Sequence, residues 1–219
     1  MCSRKGEERK IEIKRIKGGT DNCYIVSEGI TAILVDTANG QKLDMVTAEC
    51  DKFDMKLIVL THVHFDHAEN AAALAKRYGI PVAIHPKDEE LFISFDKQPL
   101  KPVGLVGRVV LGLSKKVLRE TKVERPENLI FVTEGDDIGS YGIPAKILET
   151  PGHTLGSISV DVAGEHLLVG DALDNWIRPG NAHLYYDKEA TKKSAEKLRA
   201  LGSRTVYYGH GKPTPNGKY

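Results

Sequence analysis

Apolar and polar side chains alternate with short periods over the first 85 residues of the chain. Residues 11–17 alternate apolar and charged side chains, as a strand with one buried face does. Two segments rich in β-branched residues flank the turn sequence Glu28-Gly29 and predict a β-hairpin. An alanine-rich segment predicts a helix that ends at Gly79 and Pro81. The predicted strands of this part are residues 11–17, 23–27, 31–36, 57–60 and 81–84, and the predicted helices are residues 41–51 and 67–78.

The same mixture of strands and helices returns after residue 128. Its predicted strands are residues 129–132, 143–149, 157–162, 166–169 and 205–208, and its predicted helix is residues 187–201. The periodicity alone supports an α/β or α+β class. Because strands and helices occur on both sides of residues 86–128, we expect two similar β/α halves, packed sheet on sheet with helices outside.

Residues 86–128 interrupt this pattern with two helical segments, broken by Pro99, Pro102 and several glycines. From Lys101 to Arg125 the chain has seven Lys or Arg residues and two Glu, and apolar residues lie among them. We therefore expect a helical insertion with a basic surface. That these two helices simply cover the sheet is as good an interpretation as a role for them in substrate binding or in a dimer. A basic face of this kind is more often solvated than a binding patch.

The composition is that of a folded protein, and we expect residues 1–219 to form a single domain, with 41% hydrophobic and 28% charged residues. The net charge of +1 gives no global attraction for nucleic acid. We expect no membrane span, because no stretch approaches ~20 apolar residues, and no signal peptide, because residues 1–10 are charged. Cys2, Cys23 and Cys50 form no CxxC pair, so we expect no disulfide framework and a cytoplasmic location.

The segment Thr61–His67 is the most informative part of the chain. It places His62, His64, Asp66 and His67 directly after an apolar strand and before a helix. His62 and His64 project the same way in an extended loop, while Asp66 and His67 lie at the turn into the helix and point elsewhere. This geometry can serve two metal ions. Imidazole and carboxylate ligands suit zinc, and also iron or manganese.

Three further residues have the same character. His153, Asp171 and His210 each follow a predicted strand and lie beside a glycine, where the backbone can bring them close to a metal. Together with the first cluster they provide seven ligands, which is the number that two metals need with a bridging water.

This order of ligands resembles the full ligand set of the metallo-β-lactamase superfamily, and the resemblance covers nearly the whole chain. It implies a four-layer αββα sandwich, an α+β fold, with the helical insertion at about 86–128 and the site at one edge of the two sheets. It implies that the first metal binds His62, His64 and His153, that the second binds Asp66, His67 and His210, and that Asp171 bridges them. Asp36 matches an early aspartate of the family that supports the metal loop without binding metal.

Departures from the ligand patterns of particular branches narrow the choice of branch within the superfamily. Asp171 is present and no Cys lies near a ligand, which disfavours antibiotic hydrolysis. His64 stands where the diiron flavoproteins have Glu. The pattern resembles glyoxalase II-like thioesterases and lactonases most closely. Only nine residues follow His210, so we do not expect the glutathione-binding helical region of glyoxalase II or its glutathione thioester substrate. We also see no additional domain of the kind that nuclease branches carry.

The resemblance and the ligand chemistry predict a metal-dependent hydrolase with two Zn²⁺, or alternatively Fe or Mn. A hydroxide that bridges the metals would attack an ester, thioester or lactone carbonyl, and Asp66 would also relay a proton. One alternative is an oxidoreductase similar to the mononuclear iron persulfide dioxygenases, which would use His62, His153 and Asp171. Another is a phosphodiesterase. A non-catalytic binding module would predict eroded ligands, and all seven are intact.

Other residues are weaker candidates for contact with a small-molecule substrate. His85 either supports the site or caps a turn before a helix, and Trp176 is a candidate wall of the pocket. Tyr185 and Tyr186 either hydrogen-bond substrate, as a loop tyrosine does in some lactonases, or pack. We interpret His166 and His183 as non-ligands. The insertion at 86–128 is either a substrate cap, suited to an acyl chain carried by an anionic group, or the contact of a homodimer.

Overall fold

The computed structural model describes residues 10–219. Cys2 and the charged N-terminal segment, apart from Lys10, lie outside the described residues. The first part of the chain forms five strands and three helices. They are β1 (Ile11–Lys17), β2 (Asn22–Glu28), β3 (Thr31–Val35), α1 (Leu43–Cys50), β4 (Asp54–Val59), α2 (Phe65–Ala68), α3 (Ala71–Tyr78) and β5 (Val82–Ile84). The predicted hairpin is confirmed, since β2 and β3 pair antiparallel with Glu28 opposite Thr31.

The predicted helix 67–78 is wrong in one respect, because the structure divides this region into α2 and α3. Asn70 lies at the break. Its buried side-chain amide donates to the carbonyls of Thr37, Ala38 and Asn39. These bonds tie the start of α3 to the loop after β3, a tertiary contact that local helix propensity does not encode.

The segment 86–128 contains one α-helix and not two. Pro86–Phe92 and Phe95–Lys97 are 3₁₀ turns, and they are followed by the short strand β6 (Lys101–Pro102) and by α4 (Gly104–Glu120). Prolines 99 and 102 lack the N–H that a continuing helix needs, which confines the regular helix to the residues after them.

The remaining chain contains eight strands of the second part, one long helix and β7 (Leu129–Phe131). In chain order the others are β8 (Ala145–Glu149), β9 (Ile158–Val162), β10 (His166–Gly170), β11 (Leu173–Asp174), β12 (Gly180–Asn181), β13 (Leu184–Tyr185), α5 (Lys188–Ala200), β14 (Thr205–Tyr208) and β15 (Thr214–Pro215). β7 does not belong to the second half, because it pairs parallel with β5 and completes the first sheet.

The two main sheets have the strand orders β1-β2-β3-β4-β5-β7 and β15-β14-β10-β9-β8. Strands β3, β4, β5 and β7 run parallel, as do β10 and β14. Their inner faces enclose one core that includes Val26, Leu57, Ile147 and Val160. Two outer cores separate the first sheet from α1 and α3 and the second sheet from α5. The predicted four-layer αββα sandwich is therefore confirmed.

Over the described range 10–219, the structure contains no helix that is both long and apolar enough to cross a membrane.

Candidate metal centre

The loop after β4 is shaped by Asp36, which directly follows β3. Asp36 is buried and adopts a left-handed conformation, with φ of 59°. Its carboxylate accepts hydrogen bonds from the backbone N–H of Thr61 at 2.8 Å and from the Thr61 hydroxyl. It also accepts from Nδ1 of His67 at 2.9 Å. One carboxylate thus fixes both ends of the segment that carries four of the predicted ligands.

The structure brings all seven predicted ligands together. They form three groups whose ligand atoms lie within 4.8 Å of one another in each group. The groups are His62-His64-His153, His62-His67-Asp171 and Asp66-His67-His210. The ligands come from the loop after β4 and from the segments after β8, β10 and β14, so the carboxyl ends of strands from both sheets meet at this edge.

Most of the imidazole rings are oriented by a hydrogen bond on the ring edge that faces away from the cluster. Nδ1 of His153 donates to the carbonyl of Leu184, and Nδ1 of His210 donates to the carbonyl of Thr20, each at 2.9 Å. Because a carbonyl only accepts, Nδ1 carries a proton in both rings, which leaves Nε2 as the atom that faces the cluster and is available to a metal ion. His64 is turned the other way, with Nδ1 3.0 Å from Nε2 of His153.

The donor set fits a pair of divalent cations. Within residues 10–219, Nε2 of His62, Nε2 of His67 and Oδ1 of Asp171 are buried and have no hydrogen-bond partner. Such unsatisfied buried groups each cost roughly 1–3 kcal/mol. A metal ion at the centre of these atoms removes that cost, because each of them has a free lone pair aimed at the same space.

Asp171 lies between the two outer groups. Its carboxylate oxygens are 3.6 Å from Nε2 of His153, 3.5 Å from Nε2 of His67 and 3.3 Å from Nε2 of His210. It therefore touches the first group through His153 and the second group through the other two residues. A carboxylate placed in this way would be able to bind both metal ions.

Electrostatics separate the imidazoles into two kinds. Burial lowers the pKa of His62 and of His64, which keeps both rings in the neutral form that binds metal. Burial also acts to lower the pKa of His210, but the carboxylate of Asp171 outweighs it and raises that pKa to about 9. The pKa of His67 is also raised, because Asp171 and Asp36 outweigh the effect of burial.

Two glycines permit the close approach of these segments. A Cβ at Gly209 would lie 2.3 Å from Oδ1 of Asp171 and 2.6 Å from Cε1 of His67. A Cβ at Gly170, where φ is 50°, would lie 2.2 Å from the Thr61 hydroxyl. The glycines beside the ligands in the sequence are thus required by the packing of the site.

A cavity of about 160 Å³ opens onto the cluster. His64, Asp66, His153, Asp171 and His210 form its floor. Its walls include Leu100 and, on α4, Val110, Ser114 and Leu118, so part of the 86–128 segment covers the site. Trp176 also lines it and stacks on His210 with ring centroids 4.6 Å apart.

The other candidates from the sequence lie elsewhere. Over residues 10–219, the cavity lining does not include His85, Tyr185 or Tyr186. His85 accepts the backbone N–H of Lys87 and lies 3.1 Å from a carboxylate oxygen of Glu149. The backbone N–H of Tyr186 donates to the carbonyls of Gly152 and His153. Tyr186 therefore steadies the His153 loop through its main chain.

Sequence reasoning missed two residues of the cavity. His183 and Asp174 both line it, and Nδ1 of His183 lies 2.5 Å from Oδ2 of Asp174. It also missed Asp88, a fully buried carboxylate that accepts from the backbone of Val63 and Gly156. The sequence offers only one signal for the first pair, namely that both residues follow Asp171 in the same loop.

Comparison with known proteins shows the family of this chain. The family model described as "Metallo-beta-lactamase superfamily" matches residues 16–210. The uncharacterized protein ML0493 of Mycobacterium leprae is 31% identical over 208 residues, covering 90% of this chain and 88% of that protein. The probable metallo-hydrolase MJ0888 of Methanocaldococcus jannaschii is 27% identical over 160 residues, covering 71% and 68%.

Solved structures agree in fold. The crystal structure of the B3 metallo-β-lactamase BLEG-1 has a TM-score of 0.68 and 24% identity, covering 94% of this chain and 95% of that one. TTHA1623 in a di-iron-bound form has a TM-score of 0.67 and 23% identity, with the same coverage. The family match spans most of the chain and includes every residue of the metal centre. The chain therefore belongs to the metallo-β-lactamase superfamily and has the fold of its metal-dependent hydrolases.

Proposed function

We propose that this chain is a dinuclear metal-dependent hydrolase that cleaves an ester, thioester or lactone bond of a small-molecule substrate. One observation carries the proposal. Two complete groups of three ligands, His62-His64-His153 and Asp66-His67-His210, lie on either side of the carboxylate of Asp171. A site for two cations at the floor of a substrate-sized cavity is the arrangement that hydrolytic metal chemistry needs.

We propose Zn²⁺ as the metal, with Fe or Mn as the alternatives. Imidazole nitrogens with carboxylate oxygens are the ligands of catalytic zinc, although iron and manganese accept the same donors. When bound, two such ions polarise a substrate carbonyl and lower the pKa of a water molecule to about 7, which supplies the nucleophile.

Asp66 is the residue of the cluster that is best situated to move a proton. It lines the cavity, and its side chain is 21% exposed, more than that of any other ligand. One carboxylate oxygen lies 3.5 Å from Nε2 of His210. With that oxygen directed to a metal, the other is free to accept the proton that the attacking water releases.

The lining of the cavity supports a neutral carbonyl substrate more than a phosphodiester. The described residues that line the cavity include no Lys or Arg. They include four aspartates, namely Asp21, Asp66, Asp171 and Asp174. Leu100, Val110, Leu118 and Trp176 provide apolar walls. An anionic phosphodiester would enter a site whose protein charges repel it, so it would depend on the metals alone for attraction.

A persulfide dioxygenase-like activity would use one iron and leave the second group of ligands without a role. His67 and His210 argue against that, because their Nδ1 atoms are held by Asp36 and by the carbonyl of Thr20, which directs their Nε2 atoms at the second position. Such preparation of ring tautomers is expected for ligands.

Metal content is the first test. The protein, purified without a metal-binding tag, is analysed by inductively coupled plasma mass spectrometry and then assayed with esters, thioesters, lactones and phosphodiesters. We expect about two zinc ions per chain and turnover of a carbonyl substrate. About one iron per chain, with oxygen uptake in the presence of persulfides, would overturn the proposal.

Substitution of the ligands tests the assignment of residues. We expect His62→Ala and Asp171→Ala each to lose at least one metal and more than about 100-fold in kcat/KM, since even partners that only orient ligands contribute 10- to 100-fold. His166→Ala is the matched control, because His166 contacts Tyr207 on the second sheet, away from the cluster. A ligand variant that keeps both metals and its activity would refute the assignment.

The homodimer through the 86–128 segment and the cytoplasmic location remain predictions from the sequence. Leu105, Val109 and Leu113 are exposed on the outer face of α4, which is the surface that such a dimer would bury.

A further inference from the structure

The cavity contains a second pair of ionisable side chains besides the metal cluster. His183 and Asp174 both line it. Oδ2 of Asp174 accepts two hydrogen bonds from the same residue, one from Nδ1 of His183 at 2.5 Å and one from its backbone N–H at 2.8 Å. Two contacts to one oxygen fix both the ring and the main chain of His183.

The pair is held by secondary structure on both sides. Asp174 lies in β11, which pairs with β12, and Leu184, the next residue after His183, lies in β13, which pairs with β6. The carbonyl of His183 accepts the backbone N–H of Val103 at 2.7 Å, at the start of α4. The His183 backbone is therefore anchored to the segment that covers the cavity.

The two side chains differ in exposure in a way that suits proton transfer. The Asp174 side chain is only 4% exposed, whereas that of His183 is 24% exposed. The carboxylate of Asp174 accepts a hydrogen bond from Nδ1–H, so Nε2 is the ring nitrogen of His183 that remains available to the cavity. Over the described residues, Nε2 of His183 has no hydrogen-bond partner in the protein. An imidazole held at Nδ1 by a buried carboxylate is a proton donor and acceptor at Nε2.

The metal cluster does not supply this role. Its imidazoles use their free nitrogens as metal ligands, and Asp66 serves the attacking water. Cleavage of an alkyl ester requires a second proton transfer, because an alkoxide leaves poorly unless it is protonated as the bond breaks.

We infer that His183, positioned by Asp174, is the catalytic acid that protonates the leaving group of the substrate. This inference rests on the proposed hydrolase function. In the tetrahedral adduct the bond from carbon to the leaving oxygen or sulfur breaks, and its electron pair stays on that atom. The proton on Nε2 of His183 moves to the same atom, and the carbonyl re-forms. The ring that donates is protonated at both nitrogens and keeps its Nδ1–H on Asp174. It regains the Nε2 proton from solvent, to which Asp66 returns the proton taken from the attacking water, so the net reaction is the addition of one water across the bond.

The test compares two esters with the same acyl group and different leaving groups. p-Nitrophenyl butyrate releases a stable phenolate and needs little acid assistance, whereas ethyl butyrate releases a basic alkoxide. We expect His183→Ala to reduce kcat on ethyl butyrate by roughly 100-fold or more and to change kcat on p-nitrophenyl butyrate by less than about 3-fold. Asp174→Asn should show the same pattern as His183→Ala, with a larger loss of kcat on ethyl butyrate than on p-nitrophenyl butyrate. His166→Ala should affect neither ester.

The metal content of each variant is measured in parallel and should equal that of the native protein. An equal loss on both esters, or loss of metal from the His183 variant, would overturn the inference, because either result indicates a structural role. If the native protein, loaded with metal, cleaves neither ester nor any thioester or lactone, the proposed function itself fails.

A measurement independent of turnover tests the pair in either case. In proton-detected nitrogen-15 spectra of histidine-labelled protein, Nδ1 of His183 should carry a proton at unusually low field, in the ring that also carries a proton on Nε2 as well as in the neutral ring, and Asp174→Asn should shift that signal upfield. A His183 ring protonated on Nε2 alone would overturn the inference, because Nδ1 would then not donate to Asp174.

Discussion

At the scale of single residues, the side chains of the candidate metal centre each have a local sequence signature, a His or Asp that closely follows a strand. His62, His64, Asp66 and His67 fall in one short segment, and unpaired polar groups at such density cost free energy unless they bind something. His183 and Asp174 lacked that signature. They meet only because β11 and β13, strands of two residues each, fold the loop after Asp171 back on itself. No sequence periodicity reveals strands that short.

Asp36 provides a prediction at the scale of single residues. It accepts hydrogen bonds from Thr61 and His67 and so holds the segment Thr61–His67, the metal loop, without being one of the predicted ligands. Asp36→Asn keeps the size of the side chain but loses its charge and one acceptor oxygen. We expect metal affinity to fall by about 10- to 100-fold, as measured by competition with a chromogenic chelator.

The control for this prediction is Asp54→Asn, at the start of β4. Asp54 is exposed and pairs with Lys56 on the surface. It shares the loss of charge but has no contact with the metal loop, so its affinity should equal that of the native protein. Equal affinities for the Asp36 and Asp54 variants would show that the metal loop holds its shape without the carboxylate.

At the scale of elements, sequence predicted most strands and helices, and the differences have identifiable causes. Helix 67–78 divides because Asn70 bonds to a distant loop. The first helical pattern of the insertion becomes 3₁₀ turns, with His85 capping the first of them. Strand β7 belongs to the first sheet, where it pairs with β5. The sequence did not indicate this, because parallel pairing is non-local and the whole insertion separates the two strands.

The packing of α4 against the His183 loop supports a prediction at this scale. A Cβ at Gly107 would lie 2.5 Å from the carbonyl oxygen of His183 and 3.3 Å from Pro102. Since neither backbone segment can yield without moving α4 or β6, we expect Gly107→Ala to lower the free energy of unfolding by roughly 1–3 kcal/mol. It should also lower kcat/KM, because the cavity wall moves with α4.

Gly112→Ala in the same helix is the matched control. A Cβ there meets nothing within 4 Å, so alanine should stabilise the helix by up to about 1 kcal/mol and leave kcat/KM unchanged. Both properties are measured by urea unfolding and steady-state kinetics. If the two variants behave alike, α4 is not fixed in place by its contact with the His183 segment.

At the scale of the whole molecule, the site exists because the two sheets pack face to face and the carboxyl ends of strands from both meet at one edge of the sandwich. Asp88, in the 3₁₀ turn after β5, links them. It accepts from the backbone N–H of Val63 in the metal loop of the first half, and from the hydroxyl of Thr154 and the N–H of Gly156 in the second half. Sequence gives no indication of this, because the two contacts to the second half span more than 60 residues.

The same carboxylate makes stability depend on pH. Burial raises the pKa of Asp88 to about 6, although its hydrogen bonds act to lower it. A folded-state pKa above the unfolded value contributes stability that is present at low pH and is lost as pH rises through 6. Between pH 5 and pH 7 this loss amounts to about 1 kcal/mol. Asp88→Asn does not titrate, so the unfolding free energy of the native protein minus that of the variant should fall by this amount.

Urea unfolding at pH 5, 6 and 7 measures that difference, and the ligands of the metal centre, which also titrate, cancel between the two proteins. Ser203→Ala, an exposed substitution that removes no ionisable group, provides the baseline. Its difference from the native protein should stay constant over the same range. If the Asp88→Asn difference is equally constant, Asp88 stays ionised in the folded protein throughout. The link between the two halves would then be a permanently charged one, with its bonds to Val63, Thr154 and Gly156 outweighing the cost of burial.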